Sequence, residues 1–388
     1  MPRVVRQFRF LEDGWPLGLE LVRWPEVFEG NLTPAGAAAR ERLRARLAMA
    51  SRSDGSFRLT LPAAGPVGSR PPSKRGAGVD IWAERPWLAA QGEGAALVAA
   101  EGPGGDCRVE WEAWGTIWLS GVWSRGLATL ASTKTSTPPR ARASLTDHGR
   151  AAWVEWTGPP SCVEGLAGAT RLRTRRGVVW SALDRLAFLY DLIERPAAAA
   201  SSPLTLSWSW ELGNGVRAEL VSDETGWATG ARLTTRTNDA TSNSPTDALV
   251  QLVGETAPQS AGVELRLLLQ NDQSSTNLPA RLEACLTLPV GRRRAVLPLM
   301  LSWNPTRHSR RRLAETRTLT VTRRSTLLGL DQARAERLRW GESVWLLDFD
   351  LHPTGSDLHA ALGTPVASAR LLGRMNRAGR IERVAALD

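Results

Sequence analysis

The stretch Leu204–Leu212, LTLSWSWEL, alternates apolar and polar residues without a break. Every second side chain is Leu or Trp, and the residues between them are Thr, Ser and Glu. Successive side chains on a β-strand point to opposite faces, so the apolar set would share one face. The pattern predicts an antiparallel strand that buries one face, with Leu206, Trp208 and Trp210 in the core.

The same period of two recurs on both sides of this stretch. It is found at residues 57–61, 109–113, 263–269, 282–288, 316–322 and 345–351. One segment has helical character instead: Thr33-Pro34 supplies an N-cap and a first-turn proline, and Ala35–Ala50 is rich in Ala, Leu, Arg and Glu. The sequence therefore predicts an all-β protein, a large antiparallel β-sandwich with one short amphipathic helix at about residues 34–50.

A chain of 388 residues suits one large all-β domain or two smaller ones. The segment Ser132–Arg142, STKTSTPPRAR, has the composition of a linker. The predicted organisation is a β-rich region at 1–131 that carries the helix, a linker at 132–142 and the large sandwich at 143–388. One continuous domain is the alternative.

Basic residues outnumber acidic ones, 49 against 39, which gives a net charge of +10. Two basic runs flank an apolar strand predicted at 295–303. They supply the candidate anion-binding residues Arg292, Arg293, Arg294, Arg307, Arg310, Arg311 and Arg312. Guanidinium groups match phosphate, sulfate and carboxylate, although basic runs are often only solvated loops. A nine-residue strand spans roughly 30 Å, so only an extended polymer would touch both runs.

The sequence LDFDLHP places Asp348, Asp350 and His352 at alternate positions, on one face of a predicted strand. Such a trio could hold a metal ion. The opposite face carries Trp345 and Phe349, so we interpret the trio as a solvent face beside a core face. No metal and no other cofactor is expected.

Two further features admit a functional and a structural interpretation. Asp191 lies inside an apolar strand and could be a perturbed carboxylate of functional use. The favoured interpretation is structural: it pairs with an arginine such as Arg185 or Arg195, or it ends the buried part of its strand. Trp114 and Trp118 could offer a sugar-stacking platform, but core packing is the favoured interpretation.

Several classes of protein are disfavoured by what the sequence lacks. It contains no P-loop, G-x-S-x-G, H-E-x-x-H or strand-linked G-x-G-x-x-G motif. No nucleic-acid-binding signature and no apolar run of about 18 residues occurs, which argues against nucleic acid and membrane partners. The three cysteines are widely separated, and the first fifteen residues lack a signal-peptide core. We therefore expect a cytoplasmic protein.

The segment Gly165–Leu212 contains, in order, a basic doublet at Arg175-Arg176, a strand, an apolar run ending at Asp191 and the alternating strand. This order resembles part of the β-sandwich region of heparinase II/III-type polysaccharide lyases. The resemblance implies a large antiparallel sandwich. It carries no catalytic residue across, because those lyases use a Tyr and a His together with a helical toroid, and the single tyrosine, Tyr190, lies inside the apolar run.

Two functions from different classes follow from these observations. The first is a non-enzymatic binding or structural role, with an acidic polysaccharide or a protein as the partner. The second is a carbohydrate-active enzyme related to the polysaccharide lyases, in an active or a degenerate form. The missing catalytic motifs and the excess of arginine favour the first.

Overall fold

In a computed structural model, the chain is described over residue 49 and fifteen longer ranges. These are 78–82, 87–101, 107–126, 130–132, 141–146, 150–157, 161–163, 170–222, 228–235, 247–254, 264–270, 280–303, 313–352, 358–361 and 363–387. The predicted helix at 34–50 lies outside the described residues, except for Met49, which is helical. Within these ranges, no helix is long and apolar enough to cross a membrane.

Strands dominate the described part of the chain, and a short 3-10 turn lies at Ala197–Ser201. Numbered in chain order, the strands are β1 (Gly78–Trp82), β2 (Trp87–Gly92), β3 (Ala95–Glu101), β4 (Cys107–Ala113), β5 (Thr116–Gly126), β6 (Leu130–Ser132), β7 (Ala141–Thr146), β8 (Ala151–Thr157), β9 (Ser161–Val163), β10 (Thr170–Ser181), β11 (Leu186–Glu194), β12 (Leu204–Leu212), β13 (Val216–Ser222), β14 (Ala228–Thr235), β15 (Asp247–Leu252), β16 (Glu264–Gln270), β17 (Arg281–Leu288), β18 (Arg294–Ser302), β19 (Glu315–Leu319), β20 (Val321–Arg323), β21 (Thr326–Leu327), β22 (Ala333–Trp340), β23 (Ser343–Asp350), β24 (His359–Ala361), β25 (Thr364–Val366), β26 (Arg370–Met375) and β27 (Ile381–Leu387).

The strands form four sheets, and all of their pairings are antiparallel. The first sheet has eight strands in the order β1-β2-β3-β4-β5-β12-β17-β16. The second has ten, β13-β14-β15-β18-β11-β10-β8-β7, and β9 joins the edge of β10. The third is β19-β22-β23-β26-β27, and the fourth is β21-β20-β24-β25. The all-β, antiparallel prediction is confirmed.

Three apolar cores separate these sheets. The first lies between the first and second sheets, and it includes Leu206, Trp208 and Trp210, each at most 2% exposed. The register predicted for β12 is therefore confirmed. The second core lies between the second and third sheets, and the third lies between the third and fourth. The described part of the chain thus forms a stack of four layers, two more than a simple sandwich has.

The central strands β11 and β18 of the second sheet are buried on both of their faces. Every residue of β11 except Glu194, and every residue of β18 except Arg294, is buried. Their sequences, LAFLYDLIE and RAVLPLMLS, are nearly continuous apolar runs because both sides of each strand meet a core.

One buried ion pair connects the first two layers. Asp191 accepts hydrogen bonds from Arg176 Nε and a terminal nitrogen at 3.1 and 3.3 Å, and both residues are 1% exposed. Arg176 also donates to the Trp123 carbonyl at 3.1 Å, and its guanidinium lies 4.2 Å from the Trp123 ring centre. The predicted partners of Asp191 were wrong: Arg185 pairs with Glu93 at the surface, and Arg195 donates to backbone carbonyls.

The tryptophans follow the core-packing interpretation. Trp118 is 0% exposed and donates to the Ala113 carbonyl. Trp114 is half-buried in the turn between β4 and β5, where it donates to the Trp303 carbonyl. Trp303 in turn stacks on Trp180, with ring centres 4.7 Å apart. The aromatic residues therefore fill the first core.

Candidate functional site

Several arginines lie at one end of the second sheet, on β10, on β18 and in the turn before β18. Arg173 on β10, Glu194 on β11 and Arg294 on β18 lie side by side in register. Arg175 is two residues further along β10, on the same face as Arg173. Arg292 and Arg293 precede β18. We call the five arginines Arg173, Arg175, Arg292, Arg293 and Arg294 the basic rim.

Glu194 is the carboxylate at the centre of the basic rim. Arg294 donates two hydrogen bonds to its Oε1, at 3.1 and 2.6 Å. Burial acts to raise the pKa of Glu194, but the hydrogen bonds and charge of Arg294, with the charges of Arg173 and Arg175, outweigh it and hold that pKa below 4.5. Three guanidinium groups thus share one carboxylate.

A buried arginine behind the rim fixes its turn. Arg195 is 0% exposed and donates to the backbone carbonyls of Pro289 and Arg292, at 2.5 and 2.6 Å. It also donates to the carbonyls of Ala199 and Ser202, at 3.1 and 2.6 Å. Burial lowers the pKa of its guanidinium, yet an arginine stays charged at any physiological pH. Four carbonyl dipoles therefore stabilise this charge and hold the start of the Arg292–Arg294 run in place.

The predicted anion-binding residues divide into two groups. Arg292, Arg293 and Arg294 are half-buried, and the opposite charge nearest Arg292 is that of Asp331. The strand predicted between the two runs is β18. The second group, Arg307, Arg310, Arg311 and Arg312, lies outside the described residues.

Sequence reasoning missed the contributions of Arg173 and Arg195 to this end of the sheet. They lie about 100 positions before Arg292, and only the pairing of β10, β11 and β18 brings them beside it. The sequence indicated the Arg175-Arg176 doublet and the strand after it, but not that Arg173 and Arg195 lie beside Arg292.

A second group of titratable residues is buried between the second and third sheets. Glu155 on β8 accepts hydrogen bonds from the Tyr190 hydroxyl at 2.8 Å and from Arg370 Nε at 3.1 Å. Trp153 Nε1 donates to the Tyr190 oxygen at 2.8 Å. Arg370, on β26, also donates to the backbone carbonyl of Asp350. These polar groups join two layers inside an otherwise apolar interface.

Their protonation follows from this arrangement. Burial acts to raise the pKa of Glu155, but the charges of Arg370 and Arg175 and the hydrogen bond from Tyr190 leave it below 4.5. Burial and the Glu155 charge raise the pKa of Tyr190 well above 10.0. At neutral pH the group is an ionised carboxylate held by a guanidinium and a neutral phenol.

The solvent face predicted for Asp348, Asp350 and His352 was wrong for the two aspartates. Asp348 is 0% exposed and Asp350 is 4% exposed, because the fourth sheet covers this side of β23. Asp350 pairs with Arg323 at 2.6 Å, and Asp348 contacts His359 Nε2 at 2.5 Å. His352 is exposed, and only its backbone N–H bonds to Asp350. Within the described ranges, no group of three or more His, Cys, Asp or Glu side chains could hold a metal ion.

Known structures share this arrangement of sheets. No protein-family model and no curated protein matches the chain. Solved structures do: heparan sulfate lyase HepC from Pedobacter heparinus has a TM-score of 0.54 and 11% identity, over 91% of this chain and 61% of that one. A heparinase III structure has a TM-score of 0.53 and 10% identity, over 90% of this chain and 62% of that one.

The chain therefore spans about three fifths of the length of those lyase structures. At such low identity the likeness concerns the fold. The resemblance inferred from Gly165–Leu212 is confirmed at this level, and the described chain has a polysaccharide-lyase-like fold.

Proposed function

We propose that this protein binds an extended acidic polymer through the basic rim, in a non-enzymatic role. The observation that carries the proposal is the charge balance there. Among the described residues, the charges of Arg294, Arg173 and Arg175 act on Glu194, and the charge of Asp331 acts on Arg292. Glu155, which lies 3.6 Å from Arg175, is already bound by Arg370.

The rim has the chemistry that an anionic polymer requires. Guanidinium groups form forked hydrogen bonds with carboxylate and sulfate, and they keep their charge at all physiological pH values. Arg173 is exposed and Arg294, in the same row across β11, is half-buried, so anionic groups along a chain could reach both. Arg195 supports the rim, because it fixes the backbone that carries Arg292.

Binding is favoured over catalysis by the burial of Tyr190 and His359, whereas His352 is exposed. Tyr190 is 0% exposed and His359 is 3% exposed, and both are hydrogen-bonded inside cores. A polymer could not reach either group without opening a layer of the stack. Arginines at a sheet end are accessible without such opening.

The first prediction concerns retention on heparin resin, used here as a generic acidic polysaccharide. The double change Arg292→Ser and Arg293→Ser should shift elution to lower salt. The slope of log affinity against log salt concentration should become less steep by about one to two, as expected when two fewer counterions are released. The matched control is Arg377→Ser with Arg380→Ser, which removes the same charge from the exposed β26–β27 turn. Equal shifts in both variants would mean that net charge, and not the rim, governs retention.

The second prediction separates the shape of the rim from its charge. In Arg195→Lys the positive charge stays, but an ammonium group cannot donate to four carbonyls spread over two segments. Heparin affinity should therefore fall several-fold although the net charge is unchanged. Elution identical to that of the wild type, from protein with an unaltered circular dichroism spectrum, would remove Arg195 from the proposal.

A further inference from the structure

The fourth sheet is attached to the third through a small apolar core. Its strands β20, β21, β24 and β25 have two or three residues each. The buried side chains that it contributes to the shared core are Val321, Ala361 and Val366. Strands this short do not hold together alone, so the polar contacts at this boundary matter for docking.

A buried histidine provides one of these contacts. His359, on β24, is 3% exposed, and its Nε2 lies 2.5 Å from Asp348 Oδ2. Its Nδ1 lies 3.9 Å from Asp350 Oδ2. The imidazole from the fourth sheet is therefore inserted between two carboxylates of the third.

Among the described residues, the charges around this imidazole balance when one proton is shared by His359 and Asp348. From β23 the facing groups are Asp348 and Asp350, from β20 it is Arg323, and from β26 it is Arg370. Arg323 neutralises Asp350, and Arg370 neutralises Glu155 further inside. With its proton, the His359–Asp348 pair is neutral overall. Without that proton, a net negative charge remains buried beside a second carboxylate, which is unfavourable.

We propose that a proton shared by His359 and Asp348 latches the fourth sheet onto the third, and that docking of the fourth sheet weakens as pH rises and this proton is lost. This contact between His359 and Asp348 is independent of the basic rim, and neither proposal depends on the other.

The direction of the pKa shift of Asp348 agrees with this proposal. Burial raises the pKa of Asp348 above 3.8, against the opposing hydrogen bond and charge of His359. An acid whose pKa is raised on docking contributes stability that is present below its ordinary pKa and is lost as pH rises through the docked value. Glu155 stays ionised above pH 5, and Tyr190 stays neutral to beyond pH 10, so neither group changes its protonation between pH 5.5 and 8.5.

Hydrogen exchange on the intact chain tests the latch. The amides of β24 and β20 are compared at pH 5.5 and 8.5, after correction for the intrinsic exchange rate. The opening constant of the wild type should be several-fold larger at pH 8.5, where the shared proton is lost. In His359→Gln, which can donate to Asp348 but cannot carry the proton, the opening constant should be the same at both pH values.

Two further variants keep the experiment decisive. His352→Gln removes the neighbouring exposed imidazole, and it should retain the full pH step. Asp348→Asn preserves size and removes one of the two proton sites, so the step should shrink. Equal protection of the wild type at both pH values, or a step that survives in both His359→Gln and Asp348→Asn, would overturn the proposal.

Discussion

Replacing Arg370 by methionine is expected to lower the free energy of unfolding by about 3–5 kcal/mol at pH 7. Glu155 would remain buried at 2% exposure without the guanidinium that binds it at 3.1 Å. The carboxylate would keep only the more distant Arg175, at 3.6 Å, and the Tyr190 hydroxyl, so much of its desolvation cost would be uncompensated. Chemical denaturation at pH 7 measures the loss.

The same variant should have an altered pH dependence. In the wild type, the lowered pKa of Glu155 contributes stability that is present above pH 4.5 and is lost as pH falls through the folded value. In Arg370→Met that pKa should rise, so part of the lost stability should return between pH 7 and pH 5 as the carboxyl takes up a proton.

Two companion variants test the explanation. Glu155→Gln in the Arg370→Met background should recover a large part of the loss, because the uncompensated charge is gone. Arg374→Met lies on the same strand but removes a pair with Asp184 whose arginine side chain is 39% exposed, so it should cost at most about 1 kcal/mol. If Arg370→Met were as mild as Arg374→Met, the Glu155 pair would have little energetic importance.

Replacing Gly177 by alanine should destabilise the protein by about 3 kcal/mol, at the upper end of the cost of overpacking a core. Gly177 on β10 lies opposite Tyr190 on β11, and an added Cβ would lie 2.2 Å from the phenol Cζ. The ring cannot move aside easily, because Trp153 and Glu155 hold its hydroxyl on either side. Thermal or chemical denaturation provides the measurement.

A double-mutant cycle shows whether the collision is the cause. In a Tyr190→Leu background, where the phenol is absent, Gly177→Ala should cost less than half as much. Gly78→Ala on β1, with no atom within 4 Å of the new Cβ, is the control and should change stability by no more than about 0.5 kcal/mol. An equal cost of Gly177→Ala in both backgrounds would assign the effect to the backbone of β10.

Alternation along the chain predicted β12 with its correct inward face, because a strand with one apolar face has only one register that buries it. The turn between β26 and β27 contains Gly379, which has the positive φ, 75°, that such turns favour. The order of basic doublet, apolar run and alternating strand in Gly165–Leu212 further indicated the lyase-like fold.

The sequence by itself determined the all-β class and the inward face of β12, because these follow from short-range patterns of apolar and polar residues. The resemblance in Gly165–Leu212 also indicated the similarity of the fold to that of the lyases. Tertiary structure alone decided the number of layers and which polar residues are buried. Asp348 has the sequence pattern of a solvent-facing residue, but it is buried because a fourth sheet covers β23. The basic rim likewise exists only because β10, β11 and β18 are neighbours, and strand pairing between residues a hundred positions apart leaves no signal in local periodicity.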